Sequence, residues 1–169
     1  MVIEIFSMHK LIFSLMALFS SAIALGDDLQ GKVVTVIDGN TLQILCKNNE
    51  THTVQLIGID SPELSQEYGE ESKKLLEKIV LGKKVTINIQ GKDWRGNPLA
   101  LVLVNGKKDP RVELLEEGLA WTAEKNPLPD LEACRTRAQQ KGLGLWKQSD
   151  PTPPWKHRRQ QTMLQPKTS

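Results

Sequence analysis

From residue 32 onward, apolar and polar positions alternate in short runs separated by turn residues. Residues 32–37 are rich in β-branched side chains, Asp38-Gly39-Asn40 has the composition of a hairpin turn, and residues 41–47 alternate with Leu42, Ile44 and Cys46 on one face. Asn48-Asn49 supplies the next turn and residues 52–59 a third strand, which makes an antiparallel meander. Ser61-Pro62 stops the pairing, because proline has no N–H to give to a ladder. After Gly69 the period changes. Leu75, Leu76, Ile79 and Val80 recur at helical spacing, with Glu70, Glu71, Lys73, Lys74, Glu77 and Lys78 on the wet side, so a helix is predicted over 69–81, closed by Gly82.

Alternation returns over residues 84–90 with Val85, Ile87 and Ile89 inward, and after a polar turn a wholly apolar fifth strand covers 99–104. Asp109 followed by Pro110 is a carboxylate cap and a preset φ, so a short second helix is expected there, closed by Gly118. Asp130 is the expected cap of a third helix over 131–141, after which Trp146 folds back as an apolar anchor. Five strands with a helix between the third and fourth predict an α+β fold, a five-stranded OB-fold β-barrel with three helices. That fold hosts many functions and names none.

The chain of 169 residues is long enough for one domain with a real core. Its N-terminus has the layout of a secretory signal peptide: Lys10, an apolar block over 11–19, and Ala22-Ile23-Ala24 as a cleavage site, followed by Asp27 and Asp28. The block falls short of the ~20 residues of a membrane span. The expected division is therefore a signal peptide over 1–24, a barrel domain over 25–148 and a Pro-rich basic tail over 149–169, with the mature chain exported to the periplasm or secreted and free of the membrane. The net charge of +2 neither demands nor excludes a nucleic-acid partner. The tail that opens PTPPW carries Lys156, His157, Arg158 and Arg159, and its prolines argue against a place in a packed core. The two cysteines, Cys46 and Cys134, leave two readings open in an oxidising compartment: a disulfide contributing ~4 kcal/mol in the chain-entropy model, or two separate buried thiols.

The candidate chemistry lies in VQLIGIDSPE, Val54 to Glu63. Asp60 ends an apolar run and Glu63 follows a Ser-Pro step, so two acids at a strand end can hold a hard cation or position a water. The alternative is that both are plain strand-end and turn residues. Phosphate chemistry also needs positive charge aimed at the same place, and Gln55 supplies none.

VIDGNT (36–41), GIDSPE (58–63), QEYGEESKKLL (66–76), LEEGLAW (115–121), GLGLW (142–146) and PPWKHRR (153–159), in register, resemble the staphylococcal-nuclease-like, or thermonuclease, family. The resemblance implies an OB-fold nuclease that needs calcium and cleaves the backbone of DNA and RNA. It implies metal ligands at Asn40, Asp60 and Ser61, a general-base glutamate at Glu63, and phosphate-gripping arginines at positions 55 and 97. Here Asn40 replaces an aspartate, while Gln55 and Asn97 replace the two arginines. Asp60 and Glu63 are kept. A site with one carboxylate fewer binds calcium more weakly, and loss of one transition-state arginine can cost ~10³–10⁵ in rate. Arg95 beside Asn97 is a substitute clamp or a solvated loop charge, and Trp94 stacks on a base or covers the barrel mouth. Trp155 with its basic neighbours Lys156, Arg158 and Arg159 either stacks on bases and grips phosphates, as the remaining candidate nucleic-acid contacts, or covers the barrel.

The expectation is an exported pseudonuclease that binds DNA or RNA without sequence preference, with cleavage lost or impaired and no tightly bound cofactor. The alternatives are an active secreted endonuclease using calcium, and a protein-interaction module that no longer touches nucleic acid.

Overall fold

The alternating runs pair largely as their pattern predicts. In the computed structural model, which describes residues 29–93 and 95–164, they form β1 (Leu29–Val36), β2 (Thr41–Cys46), β3 (Thr51–Leu56), β5 (Lys84–Lys92) and β6 (Pro98–Val104). The signal-peptide expectation and Trp94 fall outside the described residues. These strands close a barrel in the order β1-β2-β3-β6-β5, in which β5 returns to β1 and only the short β3–β6 seam is parallel. Val33, Leu42, Ile44, Val54, Leu56, Val85, Ile87, Ala100 and Val102 fill the interior. Each of the larger of these side chains contributes about 1.5–3 kcal/mol on leaving water.

The predicted third strand is two strands. Gly58 takes a φ of 83°, and the buried Arg111 donates from Nη1 to the Ile57 carbonyl at 2.7 Å, so the ladder breaks after Leu56. The chain resumes as β4 (Ile59–Asp60), which leaves the barrel and pairs with β7 (Trp121–Thr122). Ile89, expected inward, is exposed although it pairs with the buried Ala100, and the β5–β6 register shifts just beyond it, between Ile89 and Gly91.

The helices α1 (Gly69–Val80), α2 (Pro110–Glu116) and α3 (Pro129–Gln140) stand where the apolar spacing puts them. Leu76, Ile79 and Val80 of α1 and Leu114 and Leu115 of α2 join the barrel core. Asp109 caps α2 by accepting from the Arg111 N–H at 2.9 Å. Asp130 does not cap α3. Pro129, with its fixed φ, starts that helix two residues earlier than expected, behind an extended Leu128, and Asp130 sits in the first turn.

The C-terminal segment follows the reading in which it covers the barrel, and it departs from the expectation that its prolines keep it out of packed structure. After a 3-10 turn at Gly144–Lys147 it forms a fourth helix, α4 (Pro154–Leu164), with Pro154 buried at its first position. Proline is at home in a first turn, where its missing N–H would have no partner anyway. Trp155 packs edge-on against Trp121 at 5.7 Å between ring centroids, and Trp121 meets Trp146 at 4.6 Å. Cys46 and Cys134 are buried free thiols on β2 and α3, so the disulfide reading does not hold in this structure. Burial, helped by Glu50, pushes the Cys46 thiol up. Among the described residues no helix is long and apolar enough to cross a membrane.

Close packing at the start of α1 fixes the loop that carries Glu63. A Cβ on Gly69 would lie 2.1 Å from the Glu63 carbonyl oxygen, which already accepts from the Gln66 N–H at 2.8 Å. Gly69→Ala is expected to destabilise the protein by about 1–3 kcal/mol, as overpacking against backbone does. A lower urea midpoint at unchanged slope is the expected readout; an unchanged midpoint would mean that the Glu63 loop moves freely.

Candidate functional site

The Asp38-Gly39-Asn40 turn, the β4 end and the loop after it converge at one mouth of the barrel. Asp38 folds the turn by accepting from the Asn40 N–H at 2.9 Å, the local bond for which short acidic side chains are favoured in turns. The Ser61 hydroxyl, buried, donates to the Gly39 carbonyl at 2.9 Å and so ties the turn to the residue that follows Asp60. Gly39 has no room for a side chain, since a Cβ there would sit 2.1 Å from the hydroxyl oxygen of Ser72 on α1. Gln55 stands opposite Thr41 across the β2–β3 ladder. Pro62 makes the sharp exit, and the Gln66 side chain accepts from the Glu63 N–H at 3.0 Å.

Asn40, Gln55, Asp60, Glu63 and Arg95 share one pocket of about 520 Å³, with a sixth residue that sequence reasoning had placed elsewhere. Arg158 of α4 reaches in and fills the space between the carboxylates. Its Nη2 donates to Asp60 Oδ2 at 2.6 Å, and its Nη1 donates to Asp60 Oδ1 at 3.1 Å and to Glu63 Oε1 at 2.7 Å. Charge-assisted forked bonds of this kind are the strong ones.

The helix that delivers Arg158 is held on both sides of it. Beyond Trp155 on Trp121, the Ser65 hydroxyl meets His157 Nε2 at 3.1 Å and Arg159 pairs with Glu124 at 3.1 Å. Gln66, which holds the Glu63 N–H, also donates to the Thr152 carbonyl at 2.9 Å, so the glutamate loop and the approach to α4 share one side chain.

Electrostatics explains why a cation belongs there. Asp60 is 16 % exposed, and burial pushes its carboxyl above the usual aspartate value; Arg158 opposes that rise, and the charges of Glu63 and Asp38 add to it. An aspartate bonded to arginine is ordinarily held low, so burial here outweighs the partner. Arg158 is itself held above the usual arginine value, chiefly by its hydrogen bond to Asp60, and is a permanent cation.

The expected arginine positions divide. Gln55 lines the pocket, but Asn97 does not: its amide donates to Asp93 Oδ2 at 2.9 Å and its N–H to Asp93 Oδ1 at 2.8 Å, which folds the β5–β6 turn on itself. Arg95 from that turn does line the pocket. Of the four tail candidates, Trp155, Arg158 and Arg159 make contacts within the protein, and Lys156 is exposed with no carboxylate partner among the described residues. Helical spacing was the available signal for this, since residues 155, 158 and 159 share one face of any helix that starts at Pro154.

The donor set does not fit a calcium ion as it stands. Calcium takes six to eight oxygens, whereas both oxygens of Asp60 and one of Glu63 face a guanidinium, and position 40 offers an amide. Among the described residues no group of three or more His, Cys, Asp or Glu side chains could hold a metal ion.

Comparison with known proteins adds the ancestry. A family model described as Staphylococcal nuclease homologue matches residues 53–148. The chain is 33 % identical over 135 residues to an "Uncharacterized endonuclease" of Escherichia coli O157:H7, covering 78 % of this chain and 88 % of that protein. It is 37 % identical over 131 residues to an "Uncharacterized endonuclease" of Haemophilus influenzae, covering 77 % and 73 %, and 28 % identical over 143 residues to a "Micrococcal nuclease" of Shigella flexneri, covering 78 % and 82 %. With the barrel, the strand-end carboxylates and these matches in agreement, the chain belongs to the staphylococcal nuclease homologue family.

Proposed function

We propose that the protein acts on nucleic acid as an exported binding scaffold whose own hydrolytic step is lost or strongly impaired. The observation that carries this reading is the Arg158 guanidinium lying on Asp60 and Glu63 at 2.6 and 2.7 Å. The carboxylates that would hold a metal against a phosphate are engaged by an internal cation, while Gln55 and Asn97 carry no charge to stabilise a five-coordinate phosphorus transition state. Export rests on the apolar block and cleavage pattern of the first 24 residues. With calcium, magnesium or manganese, the purified protein is expected to cut single-stranded DNA and RNA no faster than its Glu63→Ala variant. Calcium-dependent cutting by the natural protein that Glu63→Ala abolishes would overturn the reading.

A second reading has its own support. Arg158 and Arg95 bring two cations to the pocket wall, so the chain retains positive charge there although Gln55 and Asn97 do not supply it. In an active calcium-dependent endonuclease, Arg158 would grip the phosphate. One variant separates the two. If Arg158 closes the site, Arg158→Ala with Asn40→Asp gains calcium affinity, seen as a calcium-dependent rise in melting temperature that the natural protein lacks. If Arg158 clamps phosphate, Arg158→Ala alone removes an activity that the natural protein has.

Stability should report the same contact. Breaking a fully buried ion pair costs about 3–5 kcal/mol. Arg158 is 41 % exposed, so solvent screening reduces the expected cost of Arg158→Ala at neutral pH to about 1–2 kcal/mol. Asp60 binds its proton more tightly folded than unfolded, so its contribution is present below the ordinary aspartate value and lost as pH rises through the raised folded one. Without Arg158 that loss grows. The deficit of the variant should therefore be largest near neutrality and shrink on acidification through the carboxylate range. Urea melts of both proteins across that range test this, and an equal deficit at every pH would make Arg158 a packing residue only.

A further inference from the structure

A second concave surface lies at the opposite end of β2 from the carboxylates. It has a volume of about 610 Å³ and is formed by β1, β2, β5 and the Asn105-Gly106 turn. Thr41 borders the first pocket and Cys46 the second, so β2 separates them by roughly 17 Å at about 3.3 Å per residue. Lys32, Lys47 and Lys84 line this groove, and no aspartate or glutamate does.

The register makes the lysines neighbours. Lys32 stands directly across from Lys84 in the β1–β5 ladder, and across from Leu45 in the β1–β2 ladder. Val33 and Val85, the next residues, are buried, so the alternation of the strands turns both lysines outward. Lys47, two residues beyond the exposed Leu45, is outward on the same wall, diagonal to Lys32. Like charges directly opposite one another destabilise a sheet. None of the three lysines has a carboxylate partner among the described residues. By that rule the opposition of Lys32 and Lys84 is one that a bound polyanion would relieve.

We propose that this lysine-lined groove is a phosphate-backbone binding site for single-stranded nucleic acid, separate from the carboxylate pocket. Its grip is charge on the backbone, without readout of bases. The choice of nucleic acid among polyanions rests on the family reading above; the site itself rests on the register and the unpartnered lysines. It also supplies more positive charge than the C-terminal helix leaves available, because Arg158 and Arg159 there are engaged with Asp60, Glu63 and Glu124.

The test is binding of fluorescein-labelled oligothymidylate, followed by anisotropy over a salt series in EDTA, so that cleavage plays no part. The proteins compared are the natural chain, Lys32→Gln, the triple variant Lys32→Gln/Lys47→Gln/Lys84→Gln, and a control, Lys74→Gln/Lys78→Gln, on the exposed side of α1. If each lysine contacts a phosphate, the triple variant should flatten the slope of log affinity against log salt by about 2 units, at ~0.7 per contact on a single strand. The control should keep the natural slope. Lys32→Gln should bind more weakly and yet melt at a higher temperature, because the repulsion with Lys84 is gone. A mere solvated face would not lose binding. Natural affinity and slope in the triple variant would overturn the proposal, as would an equal loss in the control. Binding of heparin but not of oligothymidylate by the natural protein would overturn the assignment to nucleic acid. Calcium-dependent cutting by the natural protein would contradict the impaired-nuclease reading and leave this site standing.

Discussion

A buried carboxylate at a strand end needs a cation, and in this protein the cation is covalently part of the chain. Asp60 is fixed by β4 on one side and by Ser61-Pro62 on the other, with Glu63 and Asp38 adding negative charge. Arg158 answers that charge with three hydrogen bonds. Much of the architecture around the site follows. The α4 helix docks where the arginine can reach, Trp155 fixes its entry on Trp121, and Gln66 couples the glutamate loop to the segment before the helix. A tethered guanidinium has an advantage that a dissolved metal ion lacks: it is present at a high effective concentration whatever the ionic composition outside.

The pocket and the lysine groove divide the charge of the molecule between its two ends. At the carboxylate end, Arg158 offsets part of the charge of Asp60 and Glu63 within the fold. At the other end, lysines stand together without acids. On the proposal above, a polyanion would bind the far wall while Arg158 stays on the carboxylates of the first pocket. That places affinity and chemistry on different residues, so each can change without the other.

Much of this was legible from the residues themselves. Period-two alternation specified the barrel strands because each has one buried face, and Ser61-Pro62 marked the strand end because proline lacks a ladder donor. Asp60 and Glu63 flank Ser61-Pro62, so a turn at that step brings both to one strand end. What escaped were events set by distant partners. The break at Gly58 depends on Arg111 holding Ile57 from 54 residues away, and the cation in the carboxylate pocket depends on Arg158 meeting Asp60 across 98. A basic, Pro-rich segment reads as solvated by composition, yet Pro154 starts a helix and three residues of one face find partners. Asn97 was legible as a lost charge but not as a turn residue bonded to Asp93.

The central claim is that Arg158, rather than a dissolved metal, is the cation of the carboxylate pair. Carbon-13 NMR of the Asp60 side-chain carboxyl during a calcium titration, with the Arg158 guanidinium nitrogens followed in parallel, measures this directly. The account predicts that neither signal moves at low millimolar calcium, because the guanidinium keeps its place. A saturable shift of Asp60, with Arg158 released to rapid averaging, would contradict it.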